Sequence, residues 1–285
     1  MLVDTHGHLN FNAYKKESKE LFENTVKNSV AVVMPGSQID TSRRAVKLAE
    51  EWDSPYAWAA VGLHPIHLAY TRPDQFEKDT GGILKVRPEE FDRDAYEELL
   101  KSPKTVAVGE IGLDYWRKPK TTAKKEAYIE TQKEYFIKQL DMALDNKKPV
   151  ILHCRVAHDD MLEIVKNHPI SETKIPGIVH SYTGNAKQMR QFVDMGFYIA
   201  FNALIYILDF LPHVVENTRL ERMVLETDSP YLLPPQEKEK GSKRNTPLSV
   251  KYVAEKVAEI KGVDISEVEK HTTANAETVF GVDFS

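Results

Sequence analysis

Short runs of Val, Ile, Leu and Ala alternate along the chain with longer stretches that place an apolar residue every three or four positions. The first pattern reads as buried strands and the second as amphipathic helices. Strands are expected near residues 2–6, 30–35, 57–63, 104–110, 149–153, 176–181, 197–202 and 222–227. Helical period is clearest over 122–146, where Ile129, Phe136, Ile137, Leu140, Ala143 and Leu144 fall on one stripe. Further helices are expected over 15–28, 41–52, 88–101, 156–167, 185–195 and 205–216, and the tail 246–280 reads as two or three more. Eight strand and helix repeats in 285 residues predict an α/β fold, a TIM-like (β/α)8 barrel forming one domain over 1–285. An open doubly wound sheet would show a Gly-rich phosphate loop after its first strand, and none follows His8.

The chemistry sits where these apolar runs stop. His6 and His8, Glu110, His153, His180 and Asp228 each lie at the carboxyl end of an expected strand. A barrel gathers such positions at one rim, so the six are candidate metal ligands. His6 and His8 are two apart and can face the same way, with Asp4 and Thr5 available to orient their rings. Glu110 has two oxygens and no lysine competes at its strand end, which makes it the candidate bridge between two ions. Asp228 closes the ring onto His6 and His8, because the eighth strand of a barrel lies beside the first. Glu226, two residues earlier, is either a further acidic contact or a buried support. His64 before Pro65 could touch substrate or simply cap a turn, and Arg155 could bind a phosphate or a neighbouring acid. The other histidines, 67, 158, 168, 213 and 271, read as surface or capping residues.

Composition narrows the setting. The net charge of −5 argues against nucleic-acid binding by overall electrostatics, so any phosphate must be met locally. The segments WRKPKTTAKK (116–125) and KEKGSKR (238–244) follow strands four and eight and could supply a cationic track, or be solvated lysines. The long connections 64–88 and 229–246 could act as lids or substrate walls. A single cysteine, Cys154, excludes an internal disulfide and is expected to pack as a small hydrophobe. Nothing at the N-terminus resembles a secretory leader and no apolar run approaches membrane length, so a cytoplasmic protein without an obligate protein partner is expected.

The strings DTHGHL (4–9), VGLHP (61–65), GEIGLDY (109–115), ILHCR (151–155), HSYTG (180–184), ETDSPYL (226–232), the pair Asn245 and Pro247, and NAETVFG (275–281) resemble, in this order, the TatD family of metal-dependent hydrolases. The resemblance spans nearly the whole chain. It implies a barrel of the metal-dependent hydrolase type and a deoxyribonuclease activity, often exonucleolytic. It also implies two divalent ions, one held by His6, His8, Glu110 and Asp228 and the other by Glu110, His153 and His180. The chain departs from the pattern after His153, where CRVAHDD displaces an acid, and in strand seven, where Asn202 and Ala203 replace a glycine turn.

The expected reaction is hydrolysis of DNA phosphodiesters by a metal-activated hydroxide. Asp228 would orient the water and take its proton, Glu110 would join the ions, and His64 and Arg155 would bind phosphate. The mixed ligand set admits Zn²⁺, Mn²⁺ or Mg²⁺. Rival readings are a hydrolase of carboxyl esters or amides, such as an aminoacyl-tRNA deacylase, a small-molecule phosphoesterase, and a binding scaffold without activity.

Overall fold

The computed structural model describes residues 1–68, 87–116 and 118–284. Eight parallel strands follow one another in chain order around a barrel: β1 Leu2–Asp4, β2 Val30–Pro35, β3 Ala57–Val61, β4 Thr105–Asp114, β5 Val150–Arg155, β6 Gly177–His180, β7 Tyr198–Phe201 and β8 Met223–Leu225. Closure runs through the backbone past β1 and β8. Thr5 N donates to the Leu225 carbonyl at 3.0 Å, Asp228 N to that of His6 at 2.9 Å, and Gly7 bridges Ser229.

Period-two alternation sorts the strand residues into two buried sets. Val3, Ala31, Val33, Ala60, Ala107, Ile151, Ile178, Ala200 and Val224 fill the interior, where Phe280 and Phe284 of the C-terminal segment join them. Their neighbours, among them Val30, Val32, Val108, Val150, Leu152, Val179 and Leu225, pack against the helices. Each such side chain buried contributes about 1.5–3 kcal/mol. Cys154 is buried among them. Among the described residues no helix is long and apolar enough to cross a membrane.

The observed boundaries depart from the expected ones where special chemistry intervenes. β4 runs four residues past 110 to Asp114, because Ile111, Leu113 and Tyr115 continue the buried alternation. β8 ends at Leu225, since Glu226 to Asp228 turn inward to make the site. The single helix expected over 205–216 is a short 3-10 turn, Ala203–Tyr206, and a helix, Leu211–Asn217, restarted by Pro212 in its first turn. The 88–101 helix begins only at Arg93, where the Asp92 side chain accepts from Ala95 N. The tail is a 3-10 turn followed by helices Val250–Lys261 and Ile265–Phe280.

The helix Thr122–Asp145 corrects the expected stripe. Ile137 is 39% exposed, while Gln132 and Gln139 are buried beside Phe136, Leu140 and Ala143. Both glutamines grip backbone at the rim. Gln132 accepts from Asp114 N at 2.8 Å and donates to Asp114 O at 3.0 Å, and Gln139 does the same for Leu63 at 2.7 and 3.0 Å. Polar residues on a buried helix face thus fix the ends of β3 and β4.

Candidate metal centre

The interior alternation carries straight on into the site. Two residues beyond Ile151, Ile178, Ala200 and Val224, the same face presents His153, His180, Asn202 and Glu226. His153 and His180 are register partners on β5 and β6, which puts them at one depth. Glu110 arrives differently. The β4 register shifts between Val108 and Ile111, and Glu110 N donates to the Gly36 carbonyl at the end of β2. Gly112 makes the adjoining approach possible, because its φ is +145° and a Cβ there would lie 2.0 Å from the His153 carbonyl oxygen.

Glu110 stands at the centre. Its Oε2 lies 3.3 Å from His6 Nε2, and its Oε1 lies 2.8 Å from His153 Nδ1, 3.4 Å from His64 Nε2 and 3.5 Å from His180 Nε2. Burial opposes its charge, yet the surrounding histidines win and hold its carboxyl well below the usual range.

On one side of Glu110, His6 Nε2 and His8 Nε2 face each other at 3.1 Å, with Asp228 Oδ1 3.5 Å from His8 and 4.0 Å from His6. His8 Nδ1 lies 3.0 Å from the Pro35 carbonyl, which fixes its proton there and leaves a lone pair on Nε2. Burial and then the charge of His180 push His6 down to about 4. Burial of Asp228 is outweighed by its hydrogen bond to His8 and nearby histidine charge, so its carboxyl is held low. Asp4 and Thr5 do not orient these rings. Asp4 accepts from His6 N, Thr227 N and Thr227 Oγ1, and Thr5 Oγ1 donates to the Leu225 carbonyl, so both pin backbone instead.

On the other side, His180 Nδ1 lies 2.8 Å from Glu226 Oε2, while Glu226 Oε1 accepts from Ser181 N and Asn202 Nδ2. Glu226 is therefore a support, fully buried, that turns His180 Nε2 toward Glu110. Burial lowers His180, but Glu226 and Glu110 more than reverse that and raise it to about 10. His153 lies between Glu110 and Asp114, whose Oδ2 is 3.2 Å from Nε2. Burial works against its charge and these two carboxylates raise it to about 9. Asp114 had a legible signal, since it shares the alternation of Glu110 and Gly112 along β4.

Among the described residues three overlapping groups could hold a cation: His6, His8 and Asp228; His6, His180 and Glu226; and His64, Glu110 and His153. Imidazole nitrogens and carboxylate oxygens converge there, and among the described residues no lysine or arginine pairs with those carboxylates, a donor set suited to divalent metal.

The centre floors a cavity of about 790 Å³. His64 caps the turn, its Nδ1 accepting from Ile66 N at 3.0 Å, which leaves the proton on Nε2 facing Glu110 in the site. Arg155 lines the cavity with its guanidinium 4.7 Å from the Trp116 ring, and among the described residues no ion pair holds it. His158 also lines the cavity, and His67 is buried rather than on the surface, because the chain folds back beside it where Glu89 N meets its carbonyl. His168 is a cap, accepting from Ile170 N. The expected basic track is thinner than its sequence. Lys240 is paired with Glu237, and Arg244 is paired with Glu17 and stacked on Tyr14, because acids on adjoining turns reach them first. Much of the 64–88 loop, residues 69–86, and Arg117 lie outside the described residues. The 229–246 loop is pinned by Asn245, which donates to the Thr227 and Leu232 carbonyls.

Among the described residues, four non-glycine residues with positive φ line this cavity: Val156 (57°), Ser181 (45°), Asp228 (52°) and Leu232 (51°). Such conformations persist where the surroundings fix them, and they cluster at working sites.

The model of the family described as TatD-related DNase matches residues 3–281. An uncharacterised metal-dependent hydrolase of Bacillus subtilis, YabD, is 34% identical across 99% of this chain and 100% of its own length. The 3′-5′ ssDNA/RNA exonuclease TatD of Escherichia coli K12 is 30% identical across 89% of this chain and 88% of its own. The crystal structure of YjjV, a TatD homologue from Escherichia coli K12, superposes with a TM-score of 0.78 at 26% identity, covering 99% of this chain and 98% of that one. A match across nearly the whole chain, on a barrel whose rim gathers histidines and carboxylates, makes this chain a member of the TatD family of metal-dependent hydrolases, enzymes that act on ester bonds.

Proposed function

We propose that this chain, working as one domain over residues 1–285, hydrolyses phosphodiester bonds of nucleic acid, DNA first, by removing nucleotides from a strand end. The observation that carries the reading is Glu110, whose two oxygens face different histidine groups at the floor of an open cavity. The curated nuclease relatives support the substrate class.

His6, His8, Glu110 and Asp228 would hold one divalent ion, and Glu110, His153 and His180 a second, with Zn²⁺, Mn²⁺ and Mg²⁺ as candidates. When bound, such ions offset phosphate charge and make water acidic enough to attack at neutral pH. Asp228 is ionised and its side chain is 19% exposed, so it can orient that water and accept its proton. Arg155 and the Nε2 proton of His64, both lining the cavity, would hold phosphate oxygens. Glu226 and Asp114 keep the two histidines turned inward. The reaction is expected in the cytoplasm and needs no protein partner.

The test is cleavage of end-labelled single- and double-stranded DNA and of RNA, with Mg²⁺, Mn²⁺ and Zn²⁺ added separately, by wild type and folded Asp228→Asn. A metal-dependent ladder from one end, lost in the variant, is expected. A second reading, a small-molecule phosphoesterase, is favoured by the apolar residues in the cavity wall, among them Phe11, Leu204, Leu208 and Leu232. Turnover of small phosphoesters or acyl esters without any nucleic-acid cleavage would replace the nuclease reading.

A further inference from the structure

Most large apolar side chains here are buried, so the exceptions carry information. Among the described residues six are exposed, and the four most exposed are Trp116 at 58%, Val156 at 54%, Ile207 at 52% and Phe210 at 46%. All four lie on segments that follow β4, β5 or β7, at the rim where the metal centre opens. Trp116, Val156 and Phe210 line the cavity itself. Scattered exposed hydrophobes are ordinary, but a cluster at the mouth of one site marks contact with a ligand.

The chemistry beside the cluster says which ligand. Arg155, one residue before Val156, lies over the Trp116 ring at 4.7 Å, and more than half of the Trp116 surface still faces solvent. A flat aromatic surface and a guanidinium free of any carboxylate partner among the described residues offer a π face and an anion contact side by side. A nucleotide presents those same two features, a base and a phosphate. A purely apolar substrate would leave Arg155 buried without a partner, and a sugar phosphate would leave Trp116 and Phe210 with nothing flat to cover.

Resting on the nuclease reading above, we propose that Trp116 and Phe210 are a base-stacking platform for the unpaired terminal nucleotides of a single strand. Arg155 binds the phosphate that follows the stacked base. Stacking is indifferent to base identity, because every base has a π face, so the platform gives little sequence preference. It does require a base free of its pairing partner. Single strands are therefore preferred, and a duplex is entered only from a frayed end.

The test uses metal-loaded protein and a phosphorothioate oligothymidylate that resists cleavage, with binding followed by fluorescence anisotropy. The second ligand is the same oligonucleotide with abasic terminal positions. Trp116→Ala is expected to weaken binding of the intact strand about tenfold, with Phe210→Ala in the same direction. Trp116→Phe should recover most of the loss, and Ile137→Ala, an exposed apolar residue on the outer helix, should leave binding unchanged. Wild type should bind the abasic strand about as weakly as Trp116→Ala binds the intact one, and Trp116→Ala should lose little further on the abasic strand. Equal wild-type affinity for the intact and abasic strands, or unchanged binding by both alanine variants, would overturn the platform while DNA cleavage by the same preparation left the nuclease reading standing. If wild type neither bound nor cleaved any nucleic acid, both readings would fall together.

Discussion

The two sides of Glu110 are held in opposite ways. His153 and His180 each have a carboxylate on the face turned away from Glu110 or beside it, Asp114 at 3.2 Å and Glu226 at 2.8 Å, and both are raised far above an ordinary histidine. His6 and His8 have no carboxylate behind the ring: their acid contacts, Glu110 and Asp228, all meet Nε2 on the side of the site. His8 is set by a backbone carbonyl and by stacking on Phe11 at 4.0 Å, and His6 by stacking on His180 at 3.5 Å. One half is therefore positioned by charge and the other by packing. The lesson is that the same ligand chemistry can be prepared by two kinds of neighbour, with different sensitivities to mutation.

Glu110 belongs to both halves, so its loss should have the largest effect. Glu110→Ala is expected to remove metal from both and to lower activity by more than the roughly 10- to 100-fold that supporting residues command. Metal content by elemental analysis, measured on the same sample as turnover, checks this. Retention of a full metal complement would show that Glu110 bridges nothing.

Glu226→Gln separates the halves. Ser181 N and Asn202 Nδ2 donate to one Glu226 oxygen and would keep the glutamine oxygen there, turning its NH₂ toward His180 Nδ1. His180 must then accept at Nδ1 and carry its proton on Nε2, the atom aimed at Glu110. About 10- to 100-fold weaker metal retention at this half is expected in competition with a chelator. Asp114→Asn should act in the same direction but less, since its contact is longer and His153 keeps Glu110. Phe11→Ala, on the packed half, should move metal affinity less than either. If it moved affinity more, the division between charge and packing would be wrong.

Gly112→Ala tests the joint between β4 and β5. A Cβ would collide with the His153 carbonyl at a φ that side chains avoid, and a cost of about 2–4 kcal/mol in denaturant unfolding is expected. The smallest effect concerns His158, whose Nε2 has neither a carboxylate nor a carbonyl against it among the described residues. Its Nε2 is buried without a hydrogen-bond partner among the described residues, its ring packs edge-on to Tyr182, and burial pushes it down to about 4. As pH falls below about 6.5 the unfolded chain takes up this proton while the folded chain does not until about 4, so stability falls across that window. His158→Phe should lose about 1–2 kcal/mol less than wild type between pH 7 and pH 5, read from thermal or urea unfolding. Equal pH dependence in the two proteins would show that His158 is already protonated or solvated.

Much of this was legible because strand ends are marked twice in sequence, by the apolar run and by the polar residue that stops it. His153, His180 and Glu226 could be placed on one interior face by counting in twos from Ile151, Ile178 and Val224. Asp114 was hidden by a strand read as ending at 110, although Ile111, Leu113 and Tyr115 continue the alternation. The exposure of Trp116 and Phe210 had no local signal, since an aromatic beside a strand end is as ready to be buried as displayed. Ile137 shows the reverse error. It fits the helical stripe by type, while Gln132 and Gln139 take the buried positions because the Asp114 and Leu63 backbones supply partners there.

Sequence alone determined the barrel, its chain order and the residues at its rim, because periodicity and strand-end placement are local properties that every barrel strand repeats. Tertiary structure alone decided which side chain supports which. Glu226 beneath His180, Asp114 beside His153, and Pro35 behind His8 join residues far apart in the chain, and such pairings depend on strand register and on burial, which no single segment encodes.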